Sequence, residues 1–402
     1  MTKLFLTFIF CVYPFYHTLG ISIKDALKLY VKNETYINAT QELELAKTQE
    51  AKVFGDILPS LELNSNYTKQ SSTQNDFVGS TQRQTFLTLR QPLFRGLKEF
   101  AALDYAQKLL EIKKLTKEAV KREVQMLIAN HFMLVYQLKQ ELALSKELIE
   151  INQKNYEFIK QRQKIGRSKK SDLLVARATL LSSRSELYQQ QEQLKKVILD
   201  LSRVIQTPLE SFEYSLKDMD SNPNMNIDTH PSVVASKILY EATEQQIKIA
   251  KSGHYPTVDL SANYYLEQEG TFNQRDWDMA VNLTFPIFSG NKTSKEIVEQ
   301  KIVKQQNQNN YLKTRNDLKV MMDKIFMTIS LAKKQLRAYE ASTAASLSGY
   351  KEVLKDYKLR LTTNLELNSS LQNYIQEKKK LIQIQAKEKL AKVQIAILNG
   401  EF

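Results

Sequence analysis

Two periods of hydrophobicity alternate along the chain. Between residues 97 and 164, Leu109, Ile112, Leu115, Ala119, Val120, Val124 and Leu127 recur three and four residues apart, with Lys, Glu and Gln between them. This spacing predicts a long amphipathic helix with a coiled-coil type of face. A helix of that length would be about 100 Å long at roughly 1.5 Å per residue, which no compact globule accommodates. Around residues 60–68, 84–90, 258–267 and 277–285 the period drops to two. Val258, Leu260, Ala262, Tyr264 and Leu266 alternate with Asp259, Ser261, Asn263, Tyr265 and Glu267, and Trp277, Met279, Val281, Leu283 and Phe285 with Asp278, Ala280, Asn282 and Thr284. Four strands follow, each with one apolar and one polar face, as in the wall of a membrane barrel. A soluble antiparallel sheet over a core would alternate in the same way.

Punctuation orders these elements. Residues 97–207 contain no Pro and only Gly166, and residues 291–399 no Pro and only Gly349, so two long helical blocks follow. The pattern also repeats. Residues 57–67 (ILPSLELNSNY) resemble 254–264 (HYPTVDLSANY) at an offset of 197, and 87–96 (LTLRQPLFRG) resemble 281–290 (VNLTFPIFSG) at an offset of 194. The reading is two copies of one unit. Residues 21–207 supply a helix from an N-cap at Ser22 to about 55, strands 60–70 and 83–92, a long helix 97–164 and a returning helix 170–206. Residues 230–402 supply a helix 231–253, strands 256–268 and 276–287, a long helix 291–358 and a returning helix 365–399. Residues 208–229 form a linker.

Composition excludes more than it selects. Residues 1–20 read as a cleaved export signal: Lys3, an apolar run from Leu4 to Tyr16, then Thr18 and Gly20 at the −3 and −1 spacing. The single cysteine, Cys11, lies inside it, so thiolate metal sites, disulfides and Cys nucleophiles are not expected. His131, His230 and His254 stand in unlike contexts, and no metal spacing, Gly-rich phosphate loop or nucleophile elbow occurs; no enzyme, cofactor or metal is expected. The formal net charge of +13 fits an anionic partner without choosing one. Four strands cannot close a barrel, and open edges are not tolerated in hydrocarbon. Other copies must complete the sheet, and three would supply twelve strands and a usable pore, with Glu62, Asn64, Asp259, Asn263 and Glu267 lining it.

The export signal, the duplicated order of elements and the LPSLEL and QPLFRG motifs resemble the TolC-like outer-membrane factor family over essentially the mature chain. The resemblance implies a mainly α fold with a membrane β part: a trimer whose α-helical barrel crosses the periplasm and continues a 12-stranded β-barrel, four strands per protomer. It implies an exit duct for an efflux pump or type I secretion system. Its partners would be a homotrimer's other copies, a periplasmic adaptor, an inner-membrane transporter and outer-membrane lipid, with no nucleic acid. The breaks between long and returning helices look like the family's periplasmic tips, with Gly166, Arg167, Ser168, Arg360, Leu361 and Thr362 facing the adaptor. Tyr357 matches a gate tyrosine and Glu366 a gate acid, with Asp172 as a further partner for Tyr357. Arg360 stands where Gly is usual, Thr362 where the family has Arg and Ser369 where it has a second acid. The rival reading is a non-catalytic periplasmic or cytoplasmic coiled-coil scaffold binding an anionic partner.

Overall fold

The computed structural model describes residues 21–69, 81–208, 214–215, 226–269 and 275–402. The proposed export signal, most of both hairpin loops and most of the linker lie outside the described residues. The chain divides into two compact units, one from residues 1–33, 123–223 and 324–402, the other from 34–122 and 224–323. The long helices α3 (Lys98–Lys164) and α6 (Lys292–Leu359) contribute to both.

In the first unit, β1 (Ile21–Ser22) pairs in parallel with β4 (Tyr214–Ser215). The Ser22 side chain caps α1 (Ile23–Lys28) by accepting from the Asp25 amide. The helix expected from Ser22 to 55 is not continuous. A 3-10 turn over Leu29–Lys32 leads to Asn33 in extended backbone, and α2 (Glu34–Gly55) starts afresh in the second unit. The break is fixed by burial: Asn33 is almost fully covered and its Nδ2 donates to the Val204 carbonyl at 2.9 Å, a bond that a helical Asn33 would have to abandon. The returning helices α4 (Lys170–Ile205) and α7 (Asn364–Asn399) each have 36 residues. Ile23, Leu27, Phe132, Leu201, Ile205 and Ile397 are among the most deeply buried side chains here.

The second unit holds one antiparallel sheet in the order β2-β3-β5-β6, from β2 (Ser60–Lys69), β3 (Thr81–Arg95), β5 (Thr257–Glu269) and β6 (Trp277–Thr284). Helix α5 (Pro231–Ser252) leads into β5, with Pro in its first turn, where the missing amide costs nothing. Lys304 on α6 donates to Glu244, and Asn307 Nδ2 to Thr243 Oγ1 at 2.9 Å, fastening α6 to α5. The two hairpins share one register. Ser60 faces Arg90 and Leu61 faces Leu89 in the first; Thr257 faces Thr284 and Val258 faces Leu283 in the second, displaced by 197 residues on one strand and 194 on the other.

Two expected strand ends move by three residues. β3 continues past Pro92 to Arg95, because a bulge between Pro92 and Phe94 lets Pro92 forgo a ladder bond while Phe94 and Arg95 still pair with Val258 and Thr257. β6 stops at Thr284, before Pro286, on an edge that no described strand adjoins.

Candidate functional site: a polar sheet face and two helix tips

One face of the sheet carries a hydrogen-bonded chain across all four strands. Asn64 Nδ2 donates to Thr88 Oγ1 at 3.0 Å, Thr88 Oγ1 donates to Asn263 Oδ1 at 2.9 Å, and Asn263 Nδ2 donates to Asp278 Oδ1 at 2.9 Å. Tyr265 donates its hydroxyl to the other Asp278 oxygen at 2.6 Å. On the same face Arg95 bonds Asp259 Oδ1 through Nε and Nη2, at 3.0 and 2.7 Å. Asn64, Thr88, Arg90, Asp259, Asn263 and Asn282 line an open cleft of about 760 Å³. The opposite face is apolar: Leu61, Leu63, Tyr67, Tyr264, Trp277, Met279, Val281 and Leu283 are all more than half exposed. A stripe of that kind in water would be costly at about 25 cal/mol per Å²; against lipid it is at home.

Asn64, Asp259 and Asn263 therefore share the polar face, and Glu62 stands opposite Thr88 on it. Glu267 does not. Between Thr85 and Phe86 the pairing slips, so that Tyr265 faces Phe86 but Glu267 faces Thr85. Thr85 shares its side with Ser65, next to Leu63 and Leu87, and the Glu267 carboxylate lies 3.5 Å from Arg83. The bulge breaks the simple alternation, and one extra residue carries Glu267 to the other face. Thr88, Asp278 and Tyr265 do more on this face than the sequence reading gave them. Their even or odd position within each strand was the available signal.

The helix tips lie in the first unit. Both long helices end in the same backbone motif. At the first, Arg167 N bonds Arg162 O at 2.8 Å and Gly166 N bonds Gln163 O at 3.0 Å; at the second, Leu361 N bonds Asp356 O at 2.9 Å and Arg360 N bonds Tyr357 O at 3.3 Å. These are paired 6→1 and 5→2 bonds closed by a left-handed residue, Gly166 with φ 71° and Arg360 with φ 69°. In each, an acid in the first turn of the next helix bonds back to the N-cap amide, and only the second tip adds a bond to the N-cap side chain. Asp172 Oδ2 accepts from the Lys169 amide at 3.4 Å and from Ser168 Oγ at 3.3 Å. Glu366 Oε2 accepts from the Thr363 amide at 3.4 Å and from Thr362 Oγ1, while Thr363 Oγ1 accepts from the Glu366 amide. Both acids thus sit at helix N-termini, where negative charge is favoured.

Tyr357 packs between the tips in a cluster with Leu144, Leu148, Tyr350, Leu367, Leu371 and Tyr374. Its ring meets Phe158 edge-on at 5.9 Å. Burial pushes its phenol above the ordinary tyrosine range, nearby Arg162 opposes this, and Asp172 adds to it. Asn155 Nδ2 donates to Asn364 Oδ1 at 3.1 Å, a link between α3 and α7 that no motif announced. Around these, Arg167, Arg360 and Leu361 are exposed. Among the described residues, no group of three or more His, Cys, Asp or Glu is placed to hold a metal ion, and no helix is long and apolar enough to cross a membrane.

A membrane-facing four-stranded sheet joined to two pairs of very long and returning helices defines an outer-membrane channel class. The chain belongs to the outer membrane efflux protein family, whose sequence profile matches residues 35–205 and 222–401. It is an outer-membrane protein. Over 288 residues it is 23% identical to the outer membrane efflux protein BepC of Brucella suis biovar 1 (strain 1330), covering 67% of this chain. The chain spans 58% of that relative's length. Its fold matches the outer membrane protein VceC of Vibrio cholerae with a TM-score of 0.83 at 16% identity, over 94% of this chain and 96% of the other. It also matches the CmeC outer membrane channel of Campylobacter jejuni with a TM-score of 0.83 at 16% identity, over 94% and 85%.

Proposed function

We propose that three copies of this chain form the outer-membrane exit duct of a tripartite efflux pump or type I secretion system. The observation that supports this reading is the sheet itself: a hydrogen-bonded polar face, an exposed apolar face, and two edges, β2 and β6, with no described neighbour. In hydrocarbon such edges must be paired, and further copies of the same sheet pair them. Three sheets of four strands give a twelve-stranded barrel wide enough to conduct, with Glu62, Asn64, Asp259 and Asn263 toward the passage. Conduction is passive: the duct hydrolyses nothing and uses no cofactor, and an inner-membrane transporter supplies the energy through a periplasmic adaptor.

The chain is organised as an export signal at 1–20, a first repeat at 21–207, a linker at 208–229 and a second repeat at 230–402. Every described residue with positive φ supports the duplication, since Gly96, Leu97, Gly166 and Gln206 stand 194 residues before Gly290, Asn291, Arg360 and Gly400. The tips hold the gate through Tyr357, Glu366 and Asp172, and Gly166, Arg167, Ser168, Arg360, Leu361 and Thr362 form the adaptor contact. Three Glu366 carboxylates around one axis repel one another and attract cations.

Planar-bilayer conductance of the detergent-purified protein, with its particle size measured in parallel, tests this reading. Discrete pores from a trimer, with cation block or open probability altered in Glu366→Ala and Tyr357→Phe, are expected. A monomeric, non-conducting particle would sink the duct.

A further inference from the structure

The structure assigns the seam between copies a specific register, in which β6 of one chain lies antiparallel to β2 of the next with Asn282 opposite Asn66. This inference rests on the trimeric reading above and adds the residue pairing to it.

The template is the β3–β5 interface inside one chain. The two hairpins superpose in register when β2 is displaced by 197 residues onto β5 and β3 by 194 onto β6, as the pairs Ser60↔Arg90 and Thr257↔Thr284 show. Each sheet therefore presents the second half of its repeat, β6, as an edge equivalent to β3, and the first half, β2, as an edge equivalent to β5. The edge of β3 that meets β5 is paired within the chain; the equivalent edge of β6 has no partner among the described strands. If copies join as repeats join, the in-chain register carries over: Leu87↔Tyr264 becomes Val281↔Tyr67, Thr88↔Asn263 becomes Asn282↔Asn66, Arg90↔Ser261 becomes Thr284↔Asn64, and Phe94↔Val258 becomes Phe288↔Leu61.

Four features fit this one register. It keeps the faces apart, since Asn282, Thr284, Asn64 and Asn66 fall on the polar side and Val281, Phe288, Leu61 and Tyr67 on the apolar side. A slip by one residue would mix them. It gives the seam a polar pair, because two amides can both donate and accept where Thr88 and Asn263 meet at 2.9 Å within the chain. It also covers Phe288, one of the two most exposed apolar side chains among the described residues. Ile287 and Phe288 are 91% and 88% exposed, while the equivalent of Phe288, Phe94, opposite Val258, is 36% exposed. Pro286, the equivalent of Pro92, again falls where the template has its bulge and needs no ladder donor.

Cysteine pairs test the register in the full chain reconstituted in detergent micelles. Directly opposed antiparallel residues bring their Cβ atoms to about 4.5–5.5 Å, close enough for a mild oxidant to join them with small adjustment. The double variant Asn66→Cys with Asn282→Cys is expected to shift from monomer to trimer size on denaturing gels, reversibly with reductant. Each single variant, and the two-residue slip Asn64→Cys with Asn282→Cys, is expected to stay at monomer size. Light scattering on the unoxidised variants separates the failures. A trimer that cross-links through Asn64→Cys and not Asn66→Cys, or through neither, overturns the register and leaves the duct standing. A particle that is not a trimer overturns both.

Discussion

Gly166 and Arg360 hold the same left-handed backbone at the ends of the two long helices, with φ of 71° and 69°. Glycine adopts that conformation without steric penalty, whereas Cβ of an L-residue meets its own carbonyl and costs about 1–2 kcal/mol. Open space surrounds Gly166, so the penalty would be conformational and not a clash. The second tip is therefore the weaker of the two by construction. Arg360→Gly is expected to slow hydrogen exchange at the Leu361 amide, which bonds Asp356 O, by roughly fivefold or more. Gly166→Arg should speed exchange at Arg167 by a similar factor. Equal exchange before and after both changes would show that the left-handed residue does not limit opening.

Glu366 serves two roles that one substitution can separate. Its carboxylate closes the capping box of α7 with Thr363, and it is the proposed cation-attracting ring of the gate. Glutamine keeps the capping geometry and removes the charge; alanine removes both, at about 1 kcal/mol for the cap. Glu366→Gln should thus abolish divalent-cation block in bilayer recordings while leaving exchange protection of the first α7 turn intact. Glu366→Ala should lose both. Block that persists in the glutamine variant would reduce Glu366 to a helix cap.

Much of this arrangement was legible in the sequence for one reason: period and punctuation survive when individual contacts do not. The long helices 98–164 and 292–359 begin one residue after the start that Gly and Pro depletion gave them. The polar sheet face followed from period two. Tertiary effects were not legible. The α1–α2 break depends on a buried bond from Asn33 to Val204, 171 residues away. Glu267 changed faces because one unpaired residue shifts everything beyond it, and bulges leave no local signature here. Arg360 read as a departure from a glycine pattern, yet the backbone it occupies is the glycine's own.

Thr88 is the most buried link in the chain across the sheet, at 3% exposure, and it both accepts from Asn64 and donates to Asn263. Thr88→Val keeps the volume and removes both bonds, leaving two amide groups without their partner at a cost of about 1–3 kcal/mol. Thr88→Ser should restore the bonds. The temperature at which the folded barrel unfolds to the slower-migrating form on denaturing gels should drop in the valine variant and recover in the serine variant. An unchanged valine barrel would mean that water replaces the hydroxyl there.

His230 gives the fold an acid-sensitive point. It caps α5, its Nδ1 accepting from the Ser232 amide at 3.4 Å with Ser232 Oγ 2.7 Å away, and its Nε2 is buried with no partner among the described residues. Burial, reinforced by the nearby Arg122 charge, lowers its pKa to about 4 from an ordinary 6.5. The sign follows from proton uptake. Above pH 6.5 both folded and unfolded chains hold the ring neutral and stability is at its full value; between 6.5 and about 4 only the unfolded chain takes the proton, so stability falls. The full effect is roughly 3 kcal/mol per chain. His230→Asn retains a strong N-cap acceptor and cannot titrate. Melting followed by circular dichroism should therefore show a smaller loss between pH 7 and pH 4.5 in the asparagine variant than in the wild type. Parallel losses in the two would assign the acid sensitivity to the carboxylates, among them Asp228, which Arg315 holds below its ordinary range, and Glu244, held down by Lys304.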